Sequence, residues 1–179
     1  DEPAAGPPVR SSAGEAAGAV AGDVLRRLKA SNAEIDAVAR LVAHHTDTLE
    51  PGAGDADIRR WLHRIGPDLV PDLLRLQFAL WRAACRLFHQ VPASVRPAGC
   101  RTQDSPASFA RRARRILRER PPLALADLAI DGHDLQRLGF RPGPRFGEIL
   151  RQLLDRVIER PELNTRESLL DVVSRELRP

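Results

Sequence analysis

The chain has 179 residues, of which 42% are hydrophobic, 29% are charged and only 4% are aromatic. This length and composition are typical of one or two small globular domains with a real core. The formal net charge of +4 and the pI of about 10.2 exclude an acidic protein and suggest an anionic partner. The alternative is a compositional origin, because GC-rich coding sequence gives the same bias towards arginine. The scarcity of aromatic residues argues against a broad base-stacking platform for single-stranded nucleic acid.

The sequence contains no apolar run long enough to span a membrane and no signal-peptide pattern. We therefore expect a cytoplasmic protein without a membrane partner. The chain contains no methionine and starts at Asp1, which predicts that it is a fragment of a longer protein.

In the first half of the chain every periodic stretch is helical. Residues 1–16 are rich in Ala, Gly, Pro and Ser and are predicted to form a flexible linker. Helices are predicted over 17–29, from a capping box at Ser31 to about His45, and over 55–65 with Asp55 as its N-cap.

The next helix extends to about His89 and is apolar around most of its circumference, which predicts a central, buried helix. Its polar stripe consists of Arg75, Arg82, Arg86 and His89. Residues 92–104 lack periodicity and are predicted to connect two helical regions, 17–91 and 105–179.

The second half of the chain continues the helical pattern. Helices are predicted over 106–120, 132–138, 143–160 and 164–177, the last opened by a capping-box-like pattern at Asn164. The predicted fold class is therefore all-α, an irregular array of about eight helices with no sheet.

A Gly/Pro turn, F-R-P-G-P, precedes the helix that begins near residue 143. Pro142 biases Arg141 towards an extended conformation, Gly143 can adopt a positive φ, and Pro144 suits the first helical position. The helix N-terminus beside Arg141 and Arg145 is therefore predicted to bind phosphate. The alternative is a purely structural capping turn.

Helix 106–120 carries six arginines and a single carboxylate, Glu119. Such a dense positive field indicates either contact with nucleic-acid phosphates or a solvated helix face. The candidate RNA-binding residues are Arg111, Arg112, Arg114, Arg115, Arg118, Arg141, Gly143 and Arg145. No catalytic or metal-ligating residue is predicted, because the His133-Asp134 pair is explained by its place at a helix start.

The segment from Asp127 to Leu154, followed by PELNTRESLL over 161–170, resembles the C-terminal part of bacterial tRNA nucleotidyltransferases. These are the CCA-adding and poly(A)-polymerase-like enzymes. The shared pattern is Gly-x-Asp-Leu, Leu-Gly, Pro-Gly-Pro and Gly-x-Ile-Leu. The stretches LKASNAEI (28–35) and DIRRWLHRIG (57–66) resemble the helical region that precedes it.

The resemblance implies tRNA or another structured RNA as the partner, and it makes 17–91 neck-like and 105–179 body/tail-like. In the family, an N-terminal catalytic head uses Mg²⁺ to add C or A to an RNA 3′ end from CTP or ATP. The motifs of that head are absent from this sequence. We therefore expect no cofactor in this chain and no activity from it alone, because Mg²⁺ and CTP/ATP would belong to the missing head. The alternative is a non-catalytic helical scaffold or protein-interaction module without RNA binding.

Overall fold

The structure of the protein, a computed structural model, describes residues 12–47, 49, 53–88 and 106–176. Within these ranges the chain forms eight α-helices, two short 3-10 turns and no strand, which confirms the predicted all-α class. The helices are α1 (Ser12–Arg27), α2 (Asn32–His44), α3 (Asp55–Ile65), α4 (Val70–Phe88), α5 (Pro106–Arg118), α6 (Gly132–Arg137), α7 (Pro144–Glu159) and α8 (Arg166–Glu176). Residues 1–11 and 92–104, which include most of the predicted linker and all of the predicted connection, lie outside the described residues.

The helices fall into two compact units, which are not consecutive along the chain. One contains the described parts of 1–48 and 68–108, and the other contains those of 49–67 and 109–179. The predicted division into a neck-like and a body/tail-like region stays a prediction.

In the first unit, α1 begins at Ser12, earlier than predicted. The small residues that suggested a flexible segment instead allow α1 to approach α2 closely. A Cβ on Gly14 would collide with the carbonyl oxygen of Ala43, and one on Gly18 would collide with that of Ala39. The prediction of a linker is therefore wrong for residues 12–16, because their composition serves close helix packing.

The start of α2 is formed by the predicted capping box. The Ser31 hydroxyl accepts a hydrogen bond from the Glu34 N–H at 3.3 Å, and the Glu34 carboxylate accepts one from the Ser31 N–H at 2.9 Å. Bonds from the Ser31 side chain and backbone lower the pKa of Glu34. The capping-box pattern thus marks this helix start correctly.

The prediction that the fourth helix is central and buried is wrong for the second half of α4. Leu73 and Leu74 in its first turns are buried, whereas Phe78 and Leu80 are 38% and 47% exposed. The apolar residues are spread around the helix, so a single packing face can cover only some of them.

In the second unit, α6, α7 and α8 share one hydrophobic cluster. Its buried members are Ile130, Leu135, Phe140, Ile149, Leu153, Val157, Leu169 and Val173. Helix α3 contributes a further buried set, in which the Trp61 ring lies edge-on against the Phe109 ring at 5.0 Å. The Arg59 guanidinium links α3 to α7 by donating to the carbonyls of Ile158 and Glu159, the latter at 2.7 Å.

The start of α3 differs from the prediction. The N-cap is Gly54, whose N–H donates to the Asp57 carboxylate at 2.8 Å, and Asp55 is the first helical residue. The predicted cap Asp55 is therefore wrong, and its side chain makes other contacts instead.

The start of α8 also differs. Thr165 immediately precedes the helix, and its hydroxyl accepts from the Ser168 N–H at 3.3 Å. Asn164 instead bonds a distant loop, accepting from the Ala129 N–H at 2.9 Å and donating to the Asp127 carbonyl at 2.8 Å. The side-chain oxygen and the side-chain nitrogen of Asn164 are both used in these bonds. An N-cap would use only the oxygen.

Candidate nucleic-acid interface

The turn between α6 and α7 is set by the way α6 ends. The Gly139 N–H bonds to the Gln136 carbonyl at 2.9 Å, and the Phe140 N–H bonds to the Leu135 carbonyl at 3.1 Å. This pair of bonds is a Schellman motif, which needs a residue in the left-handed region. Gly139 supplies it with a φ of 89°. The Leu-Gly pair of the sequence therefore terminates α6 and redirects the chain.

The residues that follow are anchored at one end and exposed along the rest. Phe140 is buried in the cluster of the second unit, whereas 141–145 are all exposed. Pro144 is the first residue of α7, as predicted, and no acidic residue lies in the first turn of that helix. The Arg145 guanidinium lies over the Phe140 ring, 5.7 Å from its centroid. The turn thus presents two cationic side chains at a helix N-terminus.

Gly143 does not use the conformational freedom that glycine offers. Its φ of 166° is extended backbone, which other residues also adopt. A Cβ at this position would meet no atom within 4 Å. The fold itself therefore does not require glycine at residue 143.

The start of α6 accounts for the His133-Asp134 pair. Asp131 is the N-cap, and it accepts from the N–H groups of His133 at 2.8 Å and Asp134 at 3.2 Å. These backbone bonds, chiefly that from Asp134, lower the pKa of Asp131. The buried Asp134 side chain is paired with Arg166 and Arg137. In the described parts of the chain, no three His, Cys, Asp or Glu side chains are grouped closely enough to hold a metal ion.

Gly132 supports the same turn in a way that the sequence did not reveal. A Cβ on Gly132 would lie 3.3 Å from a ring carbon of Phe146, in the first turn of α7. Glycine thus lets the start of α6 lie close to the start of α7. The only signal in the sequence was the Gly-x-Asp-Leu pattern itself.

The arginines of α5 form the second part of the candidate interface. Arg111, Arg114, Arg115 and Arg118 are exposed and recur at helical spacing, so they share one face. Arg112 lies at the edge of this face and is half-buried.

Asp55 on α3 neutralises part of this face. Its carboxylate accepts from Arg112 at 2.9 Å and from Arg115 at 2.5 Å. The hydrogen bond from Arg112, supported by Arg115, lowers the pKa of Asp55. Within the described ranges, Arg111, Arg114 and Arg118 form no ion pair. We call these three residues the α5 stripe.

The structure therefore divides the predicted site residues into two sets within one compact unit. Arg141 and Gly143 lie in the turn before α7 and Arg145 lies in the first turn of that helix, and we call these three residues the arginine turn. The α5 stripe is a separate line of positive charge, and Arg112 and Arg115 are held by an acidic partner. These features define an all-α domain that presents two groups of exposed arginines.

Comparisons with known proteins identify this domain. Residues 112–173 match the family model of the tRNA nucleotidyltransferase domain 2. The chain is also 34% identical over 134 residues to an A-adding tRNA nucleotidyltransferase from Deinococcus radiodurans. Both findings confirm the predicted resemblance. The two matches support a C-terminal region of the CCA-adding and poly(A)-polymerase-like tRNA nucleotidyltransferases, and the family model covers residues 112–173.

The aligned segment comprises 74% of this chain but only 27% of the relative's length. The family match contains every predicted site residue except Arg111. No solved structure matches the chain significantly. Among the described helices, none combines the length and the apolarity that crossing a bilayer requires.

Proposed function

We propose that this chain is the tRNA-binding helical portion of a tRNA nucleotidyltransferase-like enzyme. One observation carries the proposal: the family match over 112–173 contains both the arginine turn and most of the α5 stripe. An RNA backbone is the partner that such a surface suits, because arginine binds phosphate oxygens with its planar fork of donors. The relative's name gives tRNA as the RNA on which that protein acts.

In this mechanism the arginines hold the RNA by shape and charge. Arg141 and Arg145 contact phosphates at the N-terminus of α7, where the helix dipole adds to their attraction. The α5 stripe contacts phosphates elsewhere on the RNA. Recognition of this kind suits a double-stranded A-form stem, which proteins bind mainly through its backbone and shallow minor groove.

The catalytic step belongs to a separate head in this proposal. A head domain with Mg²⁺ and CTP or ATP would add C or A to the 3′ end of the RNA held here. The relative's name favours addition of A. Because tRNA maturation takes place in the cytoplasm of bacteria, we propose a cytoplasmic location as well.

Binding of a tRNA acceptor-stem minihelix at increasing salt tests the proposal. We expect log affinity to fall linearly with log salt between roughly 50 and 300 mM, by about 0.7 to 0.9 for each phosphate contact. The measurement is fluorescence anisotropy of a labelled minihelix. Absence of binding at the lowest salt concentration, with the chain folded by circular dichroism, would remove the support for RNA recognition.

Replacement of Gly143 by alanine separates a ligand-binding role from a structural one. The extended φ of Gly143 and the open space around it predict an unchanged thermal midpoint for Gly143→Ala. If a phosphate approaches the backbone at this residue, the added methyl group should weaken minihelix binding severalfold. The control is Gly139→Ala, which places alanine at a φ of 89° and should lower stability by about 1 kcal/mol. Normal RNA binding by a folded Gly143→Ala variant would rule out close backbone contact at this point.

A protein-interaction module remains the second candidate, and a feature of α1 favours it. Val20 and Val24 on α1 and Leu28 in the turn after it recur every four residues and are 64%, 47% and 71% exposed. Such an apolar ridge is typical of a helix that packs against a partner protein. The affinity for a partner bound through this ridge would hardly change with salt, whereas affinity that depends on phosphate contacts falls as salt increases.

A further inference from the structure

One face of α4 combines an exposed aromatic ring with three arginines. The face is shallow and open, and it is lined by Arg75, Phe78, Ala79, Arg82, Ala83 and Arg86. These residues recur at helical spacing and lie opposite the buried Leu73 and Leu74. We call them the α4 face.

The aromatic ring of the α4 face is held in place and left accessible. Phe78 stacks on Trp81 with ring centroids 5.7 Å apart and an angle of 27° between the planes. The Arg82 guanidinium lies 6.0 Å from the centroid of Phe78. Among the aromatic side chains that the structure describes, Phe78 is the one classed as exposed. Phe78 is 38% exposed, and a flat ligand that stacks on its ring takes the place of the Arg82 guanidinium.

The charge of the α4 face is positive. Its lining includes three arginines and no carboxylate. Arg75 is paired with Asp72 at 2.6 Å, and both side chains are well exposed, so the pair is readily exchanged for another anion. Arg86 has no ion pair within the described residues. An aromatic ring between cationic side chains is complementary to a ligand that has both a flat ring and a negative charge.

We propose that the α4 face binds an unpaired nucleotide of the same RNA, with its base stacked on Phe78. The phosphates on either side of that base contact Arg82 and Arg86. This inference rests on the proposed function and assigns a contact with unpaired RNA to the first unit. Base stacking on an aromatic ring tolerates any base, so the contact recognises an unpaired strand and not a sequence.

Two other occupants suit the face less well. A second copy docked symmetrically would bring three arginines against the same three arginines, because a two-fold interface pairs a patch with itself. A partner helix needs several apolar anchor pockets along a groove. The α4 face offers one ring flanked by alanines. A nucleotide uses both the ring and the charges.

The test compares two RNAs that share one stem, a blunt minihelix and a minihelix with a short single-stranded 3′ extension. We expect Phe78→Ala to lower the affinity for the extended RNA by about tenfold or more and to leave the blunt RNA unaffected. Leu80→Ala is the matched control, because Leu80 is 47% exposed on the same helix but does not line the face. For the extended RNA, Arg86→Gln should reduce the slope of log affinity against log salt by about 0.7. For the blunt RNA, the slope should not change.

A 2-aminopurine in the extension reports stacking directly, since its fluorescence is quenched on an aromatic ring. Quenching by the wild-type chain and by Leu80→Ala, but not by Phe78→Ala, is the expected result. Equal binding of both RNAs by the wild type, with no effect of Phe78→Ala, would overturn this inference and leave the proposed function standing. Binding of neither RNA would overturn both. Loss of a dimer in Phe78→Ala, seen by sedimentation, would identify the face as an interface between copies and overturn the nucleotide site.

Discussion

Reversing both charges of the turn before α7, Arg141→Glu with Arg145→Glu, should lower the affinity for the minihelix at least about 100-fold at roughly 100 mM salt. Each arginine loses a charge-assisted hydrogen bond to phosphate, a bond that contributes about 1.5 to 3 kcal/mol, and each glutamate adds repulsion. The slope of log affinity against log salt should also become shallower, because two phosphate contacts are lost and each contributes about 0.7 to 0.9 to the slope. The anisotropy titration measures both quantities.

The stability of the double variant should change little, since both side chains are exposed. One structural loss is the contact of the Arg145 guanidinium with the Phe140 ring, about 0.5 to 1 kcal/mol at an exposed site. The matched control is Arg26→Glu with Arg27→Glu, which makes the same change in net charge at the end of α1. An equal loss of affinity in that control would mean that the protein's net charge, and not the turn, attracts RNA.

Charge reversal of Arg141 and Arg145 should lower the affinity for the minihelix more than reversal of two α5 arginines when that pair includes Arg112 or Arg115. Those two side chains are already bonded to the Asp55 carboxylate. A phosphate must displace that carboxylate before it gains the same contacts, so part of its attraction is offset. Arg141 has no ion pair within the described residues, and its contact with RNA requires no such exchange.

The sequence predicted those parts of the fold that depend on neighbouring residues. The capping box at Ser31, the first helical position of Pro144 and the end of α6 at Gly139 each rest on bonds between residues a few positions apart. Such patterns carry their own geometry, since the cap and its partner lie within one helical turn. They were sufficient to place the turn and its arginines correctly on the chain.

The errors concern contacts between residues that are distant in sequence. Asp55 was predicted to cap α3, but it is bonded to arginines 57 and 60 residues away. Asn164 was predicted to open a helix, but it bonds backbone groups 35 and 37 residues away. A short polar side chain suits both roles equally, and only tertiary structure decides between them. The charge of the α5 face therefore could not be evaluated from α5 alone.

The exposure of α4 could not be predicted either, because it also depends on contacts with residues that are distant in sequence. Its apolar residues indicated a buried helix, yet a helix is buried only along the faces that its neighbours cover. Phe78 lies on this helix, and it became a candidate for nucleotide stacking only once its exposure was known. The scarcity of aromatic residues excludes a broad stacking platform but not a single ring beside cationic side chains.

The core of the second unit supports the arginine turn, so its disruption should have a large effect on stability. Leu153 on α7 is fully buried and belongs to the same cluster as Phe140, the residue that anchors the turn. We expect Leu153→Ala to lower the free energy of unfolding by about 2 to 5 kcal/mol, through lost burial and the cavity that remains. Urea unfolding followed by tryptophan fluorescence measures this change. In a Trp81→Phe background, the buried Trp61 is the sole reporter for the second unit.

Leu125→Ala is the control, because it removes the same atoms from a side chain that is 40% exposed and should cost less than about 1 kcal/mol. A loss in Leu153→Ala no greater than that in Leu125→Ala would contradict the assignment of Leu153 to a packed core. RNA binding by Leu153→Ala, measured at increasing urea concentration, tests whether the cluster holds the arginine turn in place. If the turn is held in place by the cluster, binding should disappear at the urea concentration at which Trp61 reports unfolding, because Arg141 and Arg145 can grip phosphates only while Phe140 remains anchored.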